Sequence, residues 1–337
     1  METLSTSSSA PELTLLERAR AMRAAGEWPA LERLGADLED PALQAEPELA
    51  YLYALAARVV GRTERAREVA AEVERQARLR GDRRLRAEAA NLVGIAHFEA
   101  GRLVEAEECW GELLDTASEW GDEEAESRAC NNLGVLANVQ GRRDQALLQY
   151  ERALAAYQRM GNVRGLAETH HNLGISYRDL GFDREADAHF RRAMELAGGA
   201  AAEDVIAIAE TERAMLRARA GDGALAEAMA TRALERFTRL GEPLGRADAL
   251  RVLAAAARAG GRDEAAAPFL DDALEIARAH SDPLLMAEVQ RDRGLLLRDR
   301  GDAGAAREAL TEAAEHFAHL GATAESEAVA AIARGME

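Results

Sequence analysis

Apolar residues recur along this chain at helical spacing, in stretches that face each other across a glycine. Between Gly121 and Gly161, Ala129, Leu133, Leu136 and Ala137 stand at i, i+4, i+7 and i+8. Beyond Gly141, Ala146, Tyr150, Ala153, Leu154 and Tyr157 repeat the pattern. Residues so spaced share one face of an α-helix, so the stretch predicts a helical hairpin with an apolar inner seam. The hairpin is one unit of a longer series. Gly61, Gly101, Gly141, Gly181, Gly221, Gly261 and Gly301 follow one another at forty-residue intervals. An alanine stands five residues after each, from Ala66 to Ala306, and a small residue seven before: Ala54, Gly94, Gly134, Gly174, Ala214, Ala254 and Gly294. A glycine inside a helix costs about 1 kcal/mol against alanine, so Gly94, Gly134 and Gly174 require a packing reason. Close approach of the partner helix supplies one. Self-similarity at a fixed period predicts an all-α protein, a single α-solenoid in which each hairpin buries its seam against its neighbours.

The boundaries follow from the same registers. Residues 1–11 are Ser/Thr-rich and are expected to be disordered. Residues 12–43 form a degenerate first repeat with its turn at Gly26, residues 44–321 seven regular repeats, and residues 322–337 a C-terminal capping helix, about seventeen helices in all. Two places break the rhythm. Ala197-Gly198-Gly199-Ala200 is expected to cut the end of its helix and to act as a hinge. Pro268 falls inside a predicted second helix, where it would delete a backbone hydrogen bond, so that helix is expected to start late.

Composition narrows the chemistry. Aromatics make up only 4% of the chain against 48% hydrophobic residues, a balance of alanine and leucine that suits close helix packing. The net charge of −18 opposes nonspecific attraction to nucleic acid or an anionic membrane, and neither is expected as a partner. All 42 basic residues are arginine, which excludes a P-loop lysine and a Schiff-base lysine. The alanine and arginine abundance fits a GC-rich coding sequence and a bacterial source. Cys109 and Cys130 suggest no disulfide framework. The start of the chain shows no basic leader and no apolar run, so a cytoplasmic location is expected, and with eleven residues before the repeats no DNA-binding domain is expected.

In one unit Leu173, Gly174, Tyr177, Ala186, Phe190 and Ala193, and in the one before it Leu133, Gly134, Ala146, Tyr150 and Ala153, carry the pattern of a known repeat. The chain resembles the tetratricopeptide repeat family over roughly residues 46–320. The unit is longer than the usual length of about 34 residues, and with NNLG and HNLG it is similar to the branch found in kinesin light chain, the spindle-orientation scaffolds and bacterial peptide-sensing regulators. The resemblance implies a right-handed superhelix whose first helices line a concave surface. The chain departs from the pattern at Arg213 and Arg293, which stand in the place of the first-helix leucine, and those two units are expected to pack less well.

On a helical projection Arg128, Asn131, Asn132 and Val135 fall on one stripe, apart from the apolar seam. Across units the polar stripe becomes Asn91, Arg128, Asn131, Asn132, Asn138, His171, Asn172 and Arg178. Amides can hold an extended peptide backbone from both sides, and arginine forks onto a carboxylate, so this stripe is the candidate peptide-binding surface, suited to a peptide segment or an acidic tail. Glu88, Glu99, Glu168 and Asp179 on or beside the same faces make its local charge mixed. The alternative is that Asn132 and Asn172 bond to adjacent helices and fix repeat geometry. Because later repeats lack the asparagines, the groove is expected to centre on residues 88–180.

Catalysis finds little support in the sequence. His170 and His171 point about 100° apart on a helix and cannot share an ion, His316 and His319 lack a third ligand, and Trp110 reads as core. No catalytic or phosphate-binding motif occurs in a fitting context, so neither an enzyme nor a cofactor is expected. The sequence is read as a noncatalytic interaction adaptor that captures a protein or peptide ligand, or else as a peptide-sensing regulator that changes superhelical shape by flexing at Gly198-Gly199. Self-association through an exposed repeat edge stays open.

Overall fold

Every regular hairpin turns on a left-handed glycine, and several helices open on a side-chain cap. At the Gly141 turn the helix ends with glycine in the left-handed region, φ 73°, and the Arg142 amide donates back to the Ala137 carbonyl at 2.7 Å, which satisfies a carbonyl the helix end would otherwise orphan. Two of the first helices show such a cap: the Asp122 carboxylate accepts from the Ala125 amide at 3.0 Å, and the Asn162 amide oxygen from the Gly165 amide at 2.9 Å. The chain is described here from a computed structural model covering residues 13–37, 45–280 and 282–336. The N-terminal segment expected to be disordered lies outside the described residues.

Seventeen helices and no strand are found among the described residues. In order they are α1 (Leu15–Ala24), α2 (Trp28–Ala36), α3 (Pro47–Val59), α4 (Thr63–Arg80), α5 (Arg83–Glu99), α6 (Leu103–Trp120), α7 (Glu123–Val139), α8 (Arg143–Met160) and α9 (Val163–Asp179). There follow α10 (Asp183–Gly199), α11 (Glu203–Arg219), α12 (Gly223–Leu240), α13 (Pro243–Ala259), α14 (Asp263–Ala279), α15 (Pro283–Asp299), α16 (Ala303–His319) and α17 (Thr323–Arg334). They group into two units, Met1–Ala96 and His97–Glu337, the boundary falling within α5. In the first unit Leu31, Leu49, Leu52 and Ala19 form one cluster, and Tyr53, Ala66, Val69, Val73 and Leu92 a second.

In the second unit the small residues of the repeat make room for the large ones. The Tyr150 and Phe190 rings lie against Gly134 and Gly174, the sites where a side chain would collide with them, and Leu310 lies against Gly294. Trp110 is buried, as the sequence implies. Arg213 leaves the core position of its repeat and donates from Nε to the Asp187 carboxylate of α10 at 2.8 Å, which explains how a charged residue is accommodated there.

Two local expectations are corrected. Gly198 and Gly199 do not cut α10; they are its last two residues, and neither takes a positive φ. The left-handed turn residue at this boundary is Ala201, φ 53°, standing where most other repeats carry glycine, so the backbone strain falls two residues later than the sequence suggests. Pro268 is not explained by a late start either. It is the sixth residue of α14, past the first turn, and leaves the Glu264 carbonyl without its usual donor.

Candidate functional site

Within the second unit, consecutive first helices pack on one another: α7 on α9, α9 on α11, α11 on α13 and α13 on α15. No pair of second helices does so comparably among the described residues. Helices that crowd on one side and splay on the other define a curved stack, and the crowded layer is its inner face. The stripe residues carried by α7 and α9 therefore belong to this inner layer.

The residues of that stripe meet along two forty-residue rows. Asn131 on α7 accepts from Asn172 Nδ2 at 3.1 Å and from Thr169 Oγ1 at 3.2 Å, both on α9. One helical span further along, Asn138 accepts from Ser176 Oγ at 2.8 Å and donates to Asp179 Oδ2 at 3.3 Å. Its side chain is 8% exposed and both ends of its amide are occupied. The same two rows continue three repeats later in another chemistry, with Arg251 paired to Asp292 at 3.2 Å and Arg258 to Asp299. An amide ladder thus gives way to an ionic ladder at the same inter-repeat positions.

The other candidates divide. Arg178 pairs with Asp179 at 2.9 Å and with Glu212 of α11. Burial works against its charge, but Glu212, Asp179 and Glu288 outweigh it and hold the guanidinium protonated. His171 shares a hydrogen bond of 3.2 Å with the Asn172 amide oxygen, while its Nε2 is buried with no partner. Burial pushes its pKa below the usual range, so the ring is neutral. Arg128 pairs with Glu124 on its own helix, and Asn132 is half-buried on α7. Asn91 lies half-buried on α5 in the first unit.

Beyond α9 the inner face opens into a cavity of about 310 Å³. Arg178, Arg219, Arg251, Arg258 and Arg291 line it, together with Asp179, Glu288 and Asp292. Five guanidinium groups and three carboxylates line it, and Glu212, Asp248 and Asp299 pair with the arginines from just behind, so the pocket is densely ionic rather than of one sign. Arg251, 5% exposed, is held by Asp248 at 2.7 Å, Glu288 at 3.3 Å and Asp292 at 3.2 Å. Burial alone would raise the Asp292 pKa; Arg291 and Arg251 overcome it and keep the group ionised. Arg219 is exposed and makes no ion pair among the described residues. The groove expected around residues 88–180 reaches this pocket at Arg178 and Asp179, and the sequence carries a signal for the rest. The row Asn131, His171, Thr211, Arg251, Arg291 and the row Asn138, Arg178, Arg258, Arg298 keep register after the asparagines end.

A second histidine pair sits between α9 and α10. His170 and His189 face each other through their Nδ1 atoms at 3.0 Å, and Tyr177 stacks on His189 with centroids 5.1 Å apart. One nitrogen donates and the other accepts, so the two Nδ1 atoms hold one proton between them. Burial, then His189 and Arg192, push the His170 pKa down to about 4, and burial lowers that of His189. The fold therefore favours the neutral pair. The stability it contributes is complete above the unfolded-state pKa of about 6.5 and is lost as pH falls through that value toward about 4. Thermal melting should fall over this window, and His170→Gln should flatten the fall; an unchanged pH profile in the variant would contradict the assignment.

No group of three or more His, Cys, Asp or Glu side chains among the described residues is placed to hold a metal ion, and no described helix is long and apolar enough to cross a membrane. The tetratricopeptide repeat model matches residues 85–159, 127–198 and 205–279, more than half of the chain. The chain belongs to the tetratricopeptide repeat family. None of the curated protein sequences matches it. Solved structures do. A Rap protein complexed with competence and sporulation factor is 15% identical with a TM-score of 0.64, covering 96% of both chains. The Rap conjugation gene regulator of plasmid pLS20, in complex with the Phr* peptide, is 13% identical with a TM-score of 0.67, over 81% of this chain and 74% of that one. Aspartyl phosphate phosphatase F from Bacillus subtilis is 10% identical with a TM-score of 0.53, over 97% and 96%. At these identities the likeness is one of tetratricopeptide solenoid fold.

Proposed function

We propose that this tetratricopeptide protein is a noncatalytic peptide-capture module, an adaptor or regulator that holds an extended segment of a partner along the inner faces of α7, α9, α11, α13 and α15. The observation that carries the reading is the arginine-lined cavity at the end of the amide ladder. Arg178, Arg251, Arg258 and Arg291 already have acidic partners that neutralise them, while Arg219 keeps its fork free for an incoming carboxylate. The segment therefore carries an acidic group that docks in the cavity. Its backbone runs back toward Asn132 and Arg128 on α7, both partly exposed. Two of the similar folds are described with a bound factor or peptide, which supports the same use here.

Selection of linear peptides on the immobilised protein tests this. Acidic sequences should be enriched and their binding should weaken with salt. Arg219→Ala should reduce affinity at least about tenfold while melting stays unchanged, since an exposed arginine without an ion pair contributes little to stability. Binders indifferent both to Arg219→Ala and to the triple replacement of Arg128, Asn132 and Asn172 by alanine would remove the inner face from consideration.

A further inference from the structure

The hairpin turns at Gly101 and Gly141 lie at one edge of the helical stack, because each joins the first helix of a repeat to its second. The turn at Gly321 and the start of α17 lie at the opposite edge, where one repeat hands over to the next. In the second unit these opposite edges touch. Leu103 packs so closely on Gly321 that a Cβ there would lie 3.1 Å from its Cδ1, and Leu320 reaches to 3.6 Å from where a Cβ on Gly101 would be. Val139 packs into the apolar cluster of Ala322 and Val329, and Arg143 pairs with Glu325, 182 residues away, at 3.1 Å. Opposite edges of a coil meet when it has completed a turn and stacks on itself. The lumen is correspondingly narrow, since Arg178 of α9 and Arg291 of α15 line a single cavity.

We propose that this unit is a closed superhelical turn whose lumen admits a peptide only end-on, so that its ligand is a linear segment with a free end, and that the Arg143–Glu325 contact is the latch that must open before a segment blocked at both ends can enter. The inference rests on the peptide-capture reading. The latch is weakly held, because Arg143 Nε and Glu325 Oε2 are each buried with no partner. It is a contact that closes without being fully satisfied.

The test locks the latch. In a Cys109→Ser, Cys130→Ala background, Gly141→Cys and Ala324→Cys place sulfur-bearing carbons about where a disulfide needs them, the Cβ separation being 3.5 Å. Arg143→Cys with Glu325→Cys, joined by a bifunctional maleimide, avoids the strain of a side chain at Gly141, φ 73°. The probes are linear dodecapeptides selected on the unlocked protein, offered with free ends or fused between two folded domains. Locking should leave affinity for the free peptides unchanged and reduce that for the doubly blocked ones at least about tenfold. Equal binding of doubly blocked segments to both forms overturns the proposal. If no peptide binds the unlocked protein, the capture reading fails instead, and closure is judged by bridging alone: rapid, near-complete intramolecular bridging supports a closed turn, and its absence overturns it.

Discussion

Gly174→Ala is expected to destabilise the protein by about 1–3 kcal/mol, although alanine is the better helix former by about 1 kcal/mol. A Cβ at this position would lie 2.5 Å from Phe190 Cε1 and 2.6 Å from Cδ1, and Phe190, 0% exposed, has nowhere to move. Urea denaturation of the variant measures the loss. Phe190→Leu should also destabilise on its own, yet the two changes together should cost less than their sum, because the smaller side chain frees the space the methyl needs. A stabilised Gly174→Ala would mean that propensity rather than helix contact sets this position. Gly134 against Tyr150 obeys the same rule one repeat earlier.

Arg251→Met should cost about 3–5 kcal/mol at neutral pH, the usual penalty for removing one partner of a buried ionic cluster. Asp248, Glu288 and Asp292 would be left facing one another without the guanidinium that separates them. Arg251 helps hold the Asp292 pKa down; without it that pKa would rise, so the deficit should shrink as pH falls into the carboxylate range and Asp292 takes up a proton. Chemical denaturation at pH 7 and near pH 4.5, for the variant and the parent, separates this from a simple loss of packing. A deficit independent of pH would contradict the ionic account.

What the sequence made legible were features that every repeat must solve in the same way. A small residue in the first helix and alanine in the second recur in every regular repeat, so Gly174 could be assigned a close partner before Phe190 was seen against it. Features that depend on one place were less legible. Gly198 and Gly199 look like a break, but a helix tolerates them at its end, and the strain passes to Ala201. Pro268 stays inside α14 because the rest of the helix packs well enough to carry one missing bond. Closure of the second unit has no local signal at all, since it depends on the small rotation between repeats summed from α6 to α17.

The polar stripe was legible as a set of residues and not as a set of bonds. Asn131 and Asn138 stand in the stripe by position, and both bond largely to the next repeat, through Asn172, Ser176 and Asp179, as the geometry-fixing alternative expects of Asn172. The pocket beyond α9 escaped notice because the row changes chemistry, from asparagine to arginine, while keeping its register. Following the position rather than the residue type would have led to Arg251 and Arg258.

The claim on which the account turns is that a peptide lies on the inner layer of the second unit. A selected acidic peptide carrying a photoreactive benzophenone, crosslinked and mapped by mass spectrometry, tests it most directly. Attachment to α9, α11, α13 and α15, near Arg219 and Arg258, is the predicted result. Attachment confined to the outer helices α10, α12 and α14 would contradict it.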